Sequence, residues 1–355
     1  MQPLAISKRS RNMTRLTTIR RLALAAVISI LFCAQPQRTA GQTQSGQNFA
    51  LASLNDIFVS EGKAELVAYQ GRRAVRLTTQ PSNEEVFAFL KGVQFQDGVI
   101  EADIAIHITT PPGVRMPGFV GIAFRTGTDA RHYDMFYLRP RNSRSEDQAM
   151  RNHSVQYVAA PGYDWYKLRR EWPWLYESYA DLQPDRWSRV RIEVHGRLAK
   201  LFVNGSENPS LIVDGMKGET LQGGIALWGY AGEEAYFSNI RISPAEPAPV
   251  VNGGDPSGKW TTEFSTDYGK YHGTIQLTRD NTAIKGTWSG DLGRAQPVTG
   301  TWRNGYVELT FQGVWPENQA PSTAVLAGWV DGDSAKGRVK IEGRADGQWS
   351  ALRNK

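Results

Sequence analysis

Cysteine is almost absent: one residue in 355, Cys33, and it falls inside the N-terminal apolar stretch. Beyond that stretch no disulfide, thiolate metal site or cysteine nucleophile can be built. Histidine is scarce as well. The five residues (His107, His132, His153, His195, His272) show no H-x-H or H-E-x-x-H spacing, which argues against imidazole metal chemistry. No Gly-x-Ser-x-Gly elbow, P-loop or dinucleotide fingerprint occurs in a strand-to-helix context. Long helical periodicity is rare. Long apolar runs are missing apart from Leu22 to Ala34, which is too short to span a bilayer comfortably. That run follows Arg15, Arg20 and Arg21 and has the length of a signal-peptide core. A signal peptide is therefore expected over residues 1–41, with Met13 as an alternative start. Cleavage is expected after Gly41, with Ala34 as the alternative. Phe32 stands where a lipoprotein signal has a small residue, which argues against an anchor at Cys33. The expected location is secreted or periplasmic, with no transmembrane anchor once the leader is removed.

The basic excess belongs to that leader. The chain carries 41 Lys and Arg against 35 Asp and Glu. Seven of the basic residues and none of the acidic ones lie in 1–41, so the remainder has 34 against 35, a net charge of −1. A nucleic-acid partner thereby loses its main electrostatic argument.

What the chain does have is glycine (35), tryptophan (11) and strict alternation of apolar and polar residues. An all-β protein with many turns is expected. Residues 49–244 read as about a dozen short strands, enough for two packed antiparallel sheets. Within them Pro161 to Asp185 is a long insertion rich in Trp and Tyr, which reads equally as a stacking rim or as a packed lid. A Pro/Gly-rich linker is expected at 245–257. Residues 258–353 read as eight strands of a small up-and-down barrel. There Trp260, Trp288, Trp302, Trp329 and Trp349, two of them (Trp288 and Trp302) in Gly-Thr-Trp, are expected to fill the core.

Candidate site residues follow from strand parity. Gly121, Ala123 and Arg125 share one face of their strand; Tyr133, Met135, Tyr137 and Arg139 share one face of the next. A groove lined by Arg125, Tyr133, Tyr137, Arg139, Asn142 and Gln156, with Trp165 or Trp228 at its edge, would offer stacking surfaces and forked donors. Those groups suit a sugar ring and its hydroxyls. Asp134 is the weak candidate for a general base. No metal site is expected, although a jelly roll is compatible with a structural calcium ion held by oxygens. Glu101 and Asp103 are expected on the outer face, with Ile100, Ala102, Ile104 and Ile106 in the core.

Several of these segments carry a resemblance. They are GVIEADIAI (from Gly98), GFVGIAFR ending at Arg125, YDMFYLRPRNS, RWSRVRIEVHGRLAKLFVNG and AYFSNIRI. In this order they resemble the concanavalin A-like lectin/glucanase superfamily, and within it the 3-keto-disaccharide hydrolase-like branch related to family 16 glycosidases. The resemblance implies a jelly-roll sandwich. Related domains carry Asn-Ser-Gly-Ile-x-x-Arg and then Tyr-Glu-x-Gln. This chain keeps Gly121, Ile122 and Arg125 but lacks the Asn-Ser pair, and reads Tyr133-Asp134-Met135-Phe136 in the second motif. The Glu-x-Asp-x-x-Glu of family 16 enzymes meets Glu101, Asp103 and then Ile106, so its acid/base is missing. The C-terminal part, with Gly258-Lys259-Trp260 and Gln348-Trp349, is similar in layout to avidin-like and lipocalin-like barrels. The expected function is an exported, non-catalytic carbohydrate-binding protein, its glycan ligand and oligomeric state unnamed. The alternatives are a glycoside hydrolase or lyase of the same class, with Asp134 as base and Arg125 stabilising charge, or a structural, protein-interacting module of the cell envelope.

Overall fold

The computed structural model describes residues 46–110, 116–249, 254–314, 316, 320–343 and 345–355. The expected signal peptide, Cys33 and part of the expected linker lie outside the described residues. Alternating segments become strands throughout. The chain opens with β1 (Gln47–Phe49), β2 (Ile57–Ser60), β3 (Gly62–Tyr69), β4 (Arg72–Thr79) and β5 (Glu85–Leu90). The long β6 (Gly98–Ile108) leads to β7 (Val120–Thr126) and β8 (Tyr133–Leu138). Two short helices, α1 (Pro140–Ser143) and α2 (Gln148–Arg151), precede β9 (Val155–Ala160). The aromatic insertion folds as α3 (Trp165–Glu171) and β10 (Glu177–Ser178). Then come β11 (Ser188–His195), β12 (Leu198–Val203), β13 (Leu211–Asp214), β14 (Gly224–Tyr230) and β15 (Glu233–Pro244).

These strands form two antiparallel sheets. One runs β13-β12-β11-β6-β15-β4-β3, with β1 also paired to β15; the other runs β10-β9-β8-β7-β14-β5-β2. Consecutive hairpin strands are joined by pairs distant in sequence, such as β11-β6, β6-β15, β15-β4, β7-β14 and β14-β5, as in a jelly roll. The core lies between them. Ile100, Ala102, Ile104 and Ile106 of β6 are buried, as their parity predicts, against Val120, Ile122 and Phe124 of β7. Glu101 and Asp103 point the other way and pair with Arg189 and Arg72. The β3–β4 hairpin turns at Gln70 and Gly71, both with positive φ (46° and 74°), the backbone a two-residue hairpin turn requires.

Eight further strands close a barrel: β16 (Gly258–Thr266), β17 (Gly269–Asp280), β18 (Ala283–Gly290), β19 (Gly293–Arg303), β20 (Tyr306–Val314), β21 (Pro321–Asp331), β22 (Ser334–Ile341) and β23 (Ala345–Arg353). Trp260, Trp288 and Trp349 fill its interior with Phe264 and Phe311. Trp302, half-buried under Arg279, packs against that core, and one of the five tryptophans leaves the barrel. Trp329 faces outward on β21, because Leu326 and Val330 take the inward parity, and it packs with Tyr306 into the sandwich core. Its indole Nε1 donates to Met216 O at 2.9 Å. The sandwich and barrel thus share a buried interface, reinforced by Glu219 with Arg303 and Asn304.

Candidate functional site

The β10-β9-β8-β7-β14-β5-β2 sheet carries a groove of about 820 Å³ on the face away from the sandwich core. Its floor follows from register. Phe87, Trp228, Gly121, Tyr137, Gln156 and Glu177 are direct cross-strand partners from β5 to β10 and share one face. Gly121 has no side chain in the middle of that row. A Cβ there would lie 2.6 Å from Tyr137 Cβ, so only glycine lets Trp228 and Tyr137 close to 5.3 Å between centroids. The result is an aromatic wall of Phe119, Tyr137, Trp228 and Tyr230, with Tyr133 further along β8.

Polar groups are anchored into this wall. Arg139 Nη2 donates to Gln156 Oε1 at 2.6 Å and to Tyr137 Oη at 2.9 Å, while its buried Nε has no partner. Asn142 Nδ2 donates to His153 O at 3.2 Å. Trp228 Nε1 donates to Glu85 Oε1 at 3.1 Å, and burial holds the Glu85 carboxyl above its ordinary range. α3 contributes Trp165, which is 45% exposed, and Arg169, whose guanidinium lies over the Trp165 ring. Arg169 also binds the buried Glu177 through Nε and Nη2.

Of the residues expected from sequence, Tyr133, Tyr137, Arg139, Asn142, Trp165 and Trp228 line the groove. Gln156 lies beneath it, fully buried, orienting Arg139. Arg125 and Asp134 lie elsewhere. At the end of β7 the register slips: Gly224 pairs with Thr126 but Ile225 with Phe124, so Arg125 is the extra residue of a β-bulge, with φ of +53°. The bulge turns Arg125 across the sandwich. There it is 1% exposed, donating to Gln96 O, Asp97 Oδ1 and Gly196 O of the opposite sheet's loops. Asp134 shares the inner face with Phe124 and Phe136. Its Oδ1 accepts from Tyr157 Oη and Gly218 N, and burial raises its pKa. Neither residue lines the groove, so the expectation of Asp134 as base with Arg125 stabilising developing charge there is corrected.

Sequence reasoning missed three groove residues, Glu85, His153 and Arg169, and the buried Glu177 behind them. His153 lines the groove, and its Nδ1 lies 2.8 Å from Glu177 Oε2. Burial lowers its pKa, which favours the neutral imidazole. No motif spacing announces this pair, because α2 and the β10 insertion supply its halves separately. A wider depression of about 1000 Å³ on the opposite sheet is less suited to a ligand, since its carboxylate, Asp103, is already held by Arg72 and Asn239. Among the described residues no three His, Cys, Asp or Glu side chains converge as a candidate metal-ion cluster. Among them, too, no helix is long and apolar enough to cross a membrane.

Residues 40–243 match the family described as the 3-keto-alpha-glucoside-1,2-lyase-like domain. No curated protein matches the chain. Among solved structures, the chain is similar to the carbohydrate binding module CBM66 from Bacillus subtilis. The identity is 14%, covering 53% of this chain and 96% of that one, at a TM-score of 0.38. A galectin-like protein of unknown function from the same organism gives 12% identity, 58% and 99% coverage and a TM-score of 0.40. The VIP36 exoplasmic/lumenal domain in its Ca2+/Man3GlcNAc-bound form gives 12%, 56%, 87% and 0.39.

Proposed function

Through residues 40–243 the chain belongs to the 3-keto-alpha-glucoside-1,2-lyase-like domain family, and from that premise we propose that its groove binds a glycoside ring without cleaving it, in an exported protein. One observation carries the reading. The Trp228–Gly121–Tyr137–Gln156 row sets two aromatic faces beside an arginine whose Nη2 is already fixed and whose Nε is unpaired. Aromatic faces pack against the C–H face of a pyranose, and a pre-oriented guanidinium gives directional donors to its hydroxyls. Calorimetric titration with a panel of α-glucosides and 3-keto-α-glucosides tests this. The exposed Trp165 is the safest residue to remove: Trp165→Ala is expected to weaken binding about 3- to 10-fold without moving Tm. Equal affinity in this variant and in Arg139→Met would remove the groove from consideration.

A second reading is 1,2-elimination, favoured by His153 beside Glu177. In a 3-keto-glucoside the C2 proton is acidified by the neighbouring ketone. A neutral imidazole beside a carboxylate can take that proton while the C1–O bond breaks and its oxygen leaves with the electron pair. Arg139 would stabilise the developing enolate oxygen. On this reading a 3-keto-α-glucoside yields a 1,2-unsaturated product by mass spectrometry, and His153→Gln abolishes it while leaving binding intact. Recovery of unchanged substrate from the native protein leaves binding as the function.

A further inference from the structure

A second cleft, of about 800 Å³, lies where the β11–β12 turn meets strands β21, β22 and β23 of the barrel. It shares no lining residue with the groove. Its polar groups are incompletely satisfied. Arg197 is 8% exposed; its Nη1 donates to Gly218 O at 3.1 Å and its plane lies over Trp329, but its buried Nε has no partner. Asp331 Oδ1 and Arg338 Nε are likewise buried without partners. Arg197 and Asp331 attract one another electrostatically yet form no hydrogen bond. Buried donors and acceptors left unpaired in one cleft are costly unless something fills them.

The lining says what that something is. Three cationic side chains (Arg197, Lys336, Arg338) are balanced by three anionic ones (Asp214, Glu263, Asp331). An anion would meet the carboxylates and a cation the guanidinia, so the net field favours neither. A hydroxyl suits both, because it accepts from the guanidinium N–H groups of Arg197 or Arg338 and donates to the Asp331 carboxylate. Trp329 supplies indole surface beside these groups. The volume is that of a small-molecule site. We propose that this junction cleft is a second ligand site, for a neutral polyhydroxylated molecule of mono- or disaccharide size, held between Arg197, Arg338 and Asp331. Its occupant would touch sandwich and barrel together. The proposal does not depend on the groove binding anything.

The test uses the full chain labelled with 5-fluorotryptophan, so that each indole reports separately by fluorine NMR. Glucose, galactose, mannose, xylose, trehalose, sucrose and myo-inositol are titrated in turn. At least one is expected to shift Trp329. Asp331→Asn is expected to weaken that binding about tenfold, the worth of one buried hydrogen bond, and Gln348→Ala, at an exposed cleft position, weakens it less. Trp165→Ala leaves it unchanged. The proposal is overturned if no sugar shifts the Trp329 resonance, or if Asp331→Asn binds like the native chain. Shifts confined to Trp165 and Trp228 also overturn it and support the groove alone. Inorganic phosphate or spermidine competing for the cleft would overturn its assignment to a neutral ligand.

Discussion

Arg125 sits on a strand whose alternation sends it to the groove, and one positive φ sends it elsewhere. Both Arg125 and its partner Asp97 are essentially unexposed. Asp97 Oδ1 also accepts from Gly196 N, and its Oδ2 accepts from Ala248 N at 2.6 Å. Removing the guanidinium leaves that carboxylate buried with backbone donors alone. Arg125→Met is therefore expected to lose about 3–5 kcal/mol of stability, measured by denaturant titration, while the folded fraction keeps its sugar affinity. An affinity loss without destabilisation would mean that Arg125 reaches the ligand after all. Tyr133, Tyr137, Arg139 and Trp228 were legible in the sequence because period two is enough to place them. His153 and Glu177 were not: each is unremarkable in its own segment, and only tertiary folding brings them to 2.8 Å.

Among the elements, β7 is decisive because its middle is small. Gly121 and Ala123 leave room for the rings of the flanking strands β8 and β14. Gly121→Ala would place Cβ 2.7 Å from Phe136 O and 2.6 Å from Tyr137 Cβ. The expected cost is about 1–3 kcal/mol, together with a clear loss of glycoside binding as Trp228 and Tyr137 are forced apart; a tight-binding Gly121→Ala protein would refute the row as the recognition surface. The aromatic insertion resolves into both of its alternatives. Trp172 and Tyr176 are buried against the sandwich, whereas Trp165 lines the groove rim. Its composition marked the segment as unusual, but composition carries no information about which ring turns inward.

At the scale of the molecule, the barrel docks through a buried lysine. Lys217 is surrounded by Tyr163, Trp172, Tyr176 and Tyr306, and its ammonium contacts the Tyr306 hydroxyl. Burial lowers its pKa to about 7. Because the unfolded chain keeps the ordinary lysine value, it binds more protons than the folded chain between the two. Stability from this group therefore rises as pH rises from about 7 toward 10.5 and is lost as pH falls back through 7. Lys217→Met is expected to flatten that rise in Tm across pH 7 to 10. An unchanged slope would show that Lys217 is solvated. The sequence by itself determined the two β architectures and the parity of the groove strands, because alternation is a local property that each strand carries alone. Tertiary structure decided the bulge that removed Arg125, the joining of His153 to Glu177 and the turning of Trp329 from barrel to sandwich. Those depend on register and on which surfaces meet, and neither is written in the spacing of any one segment.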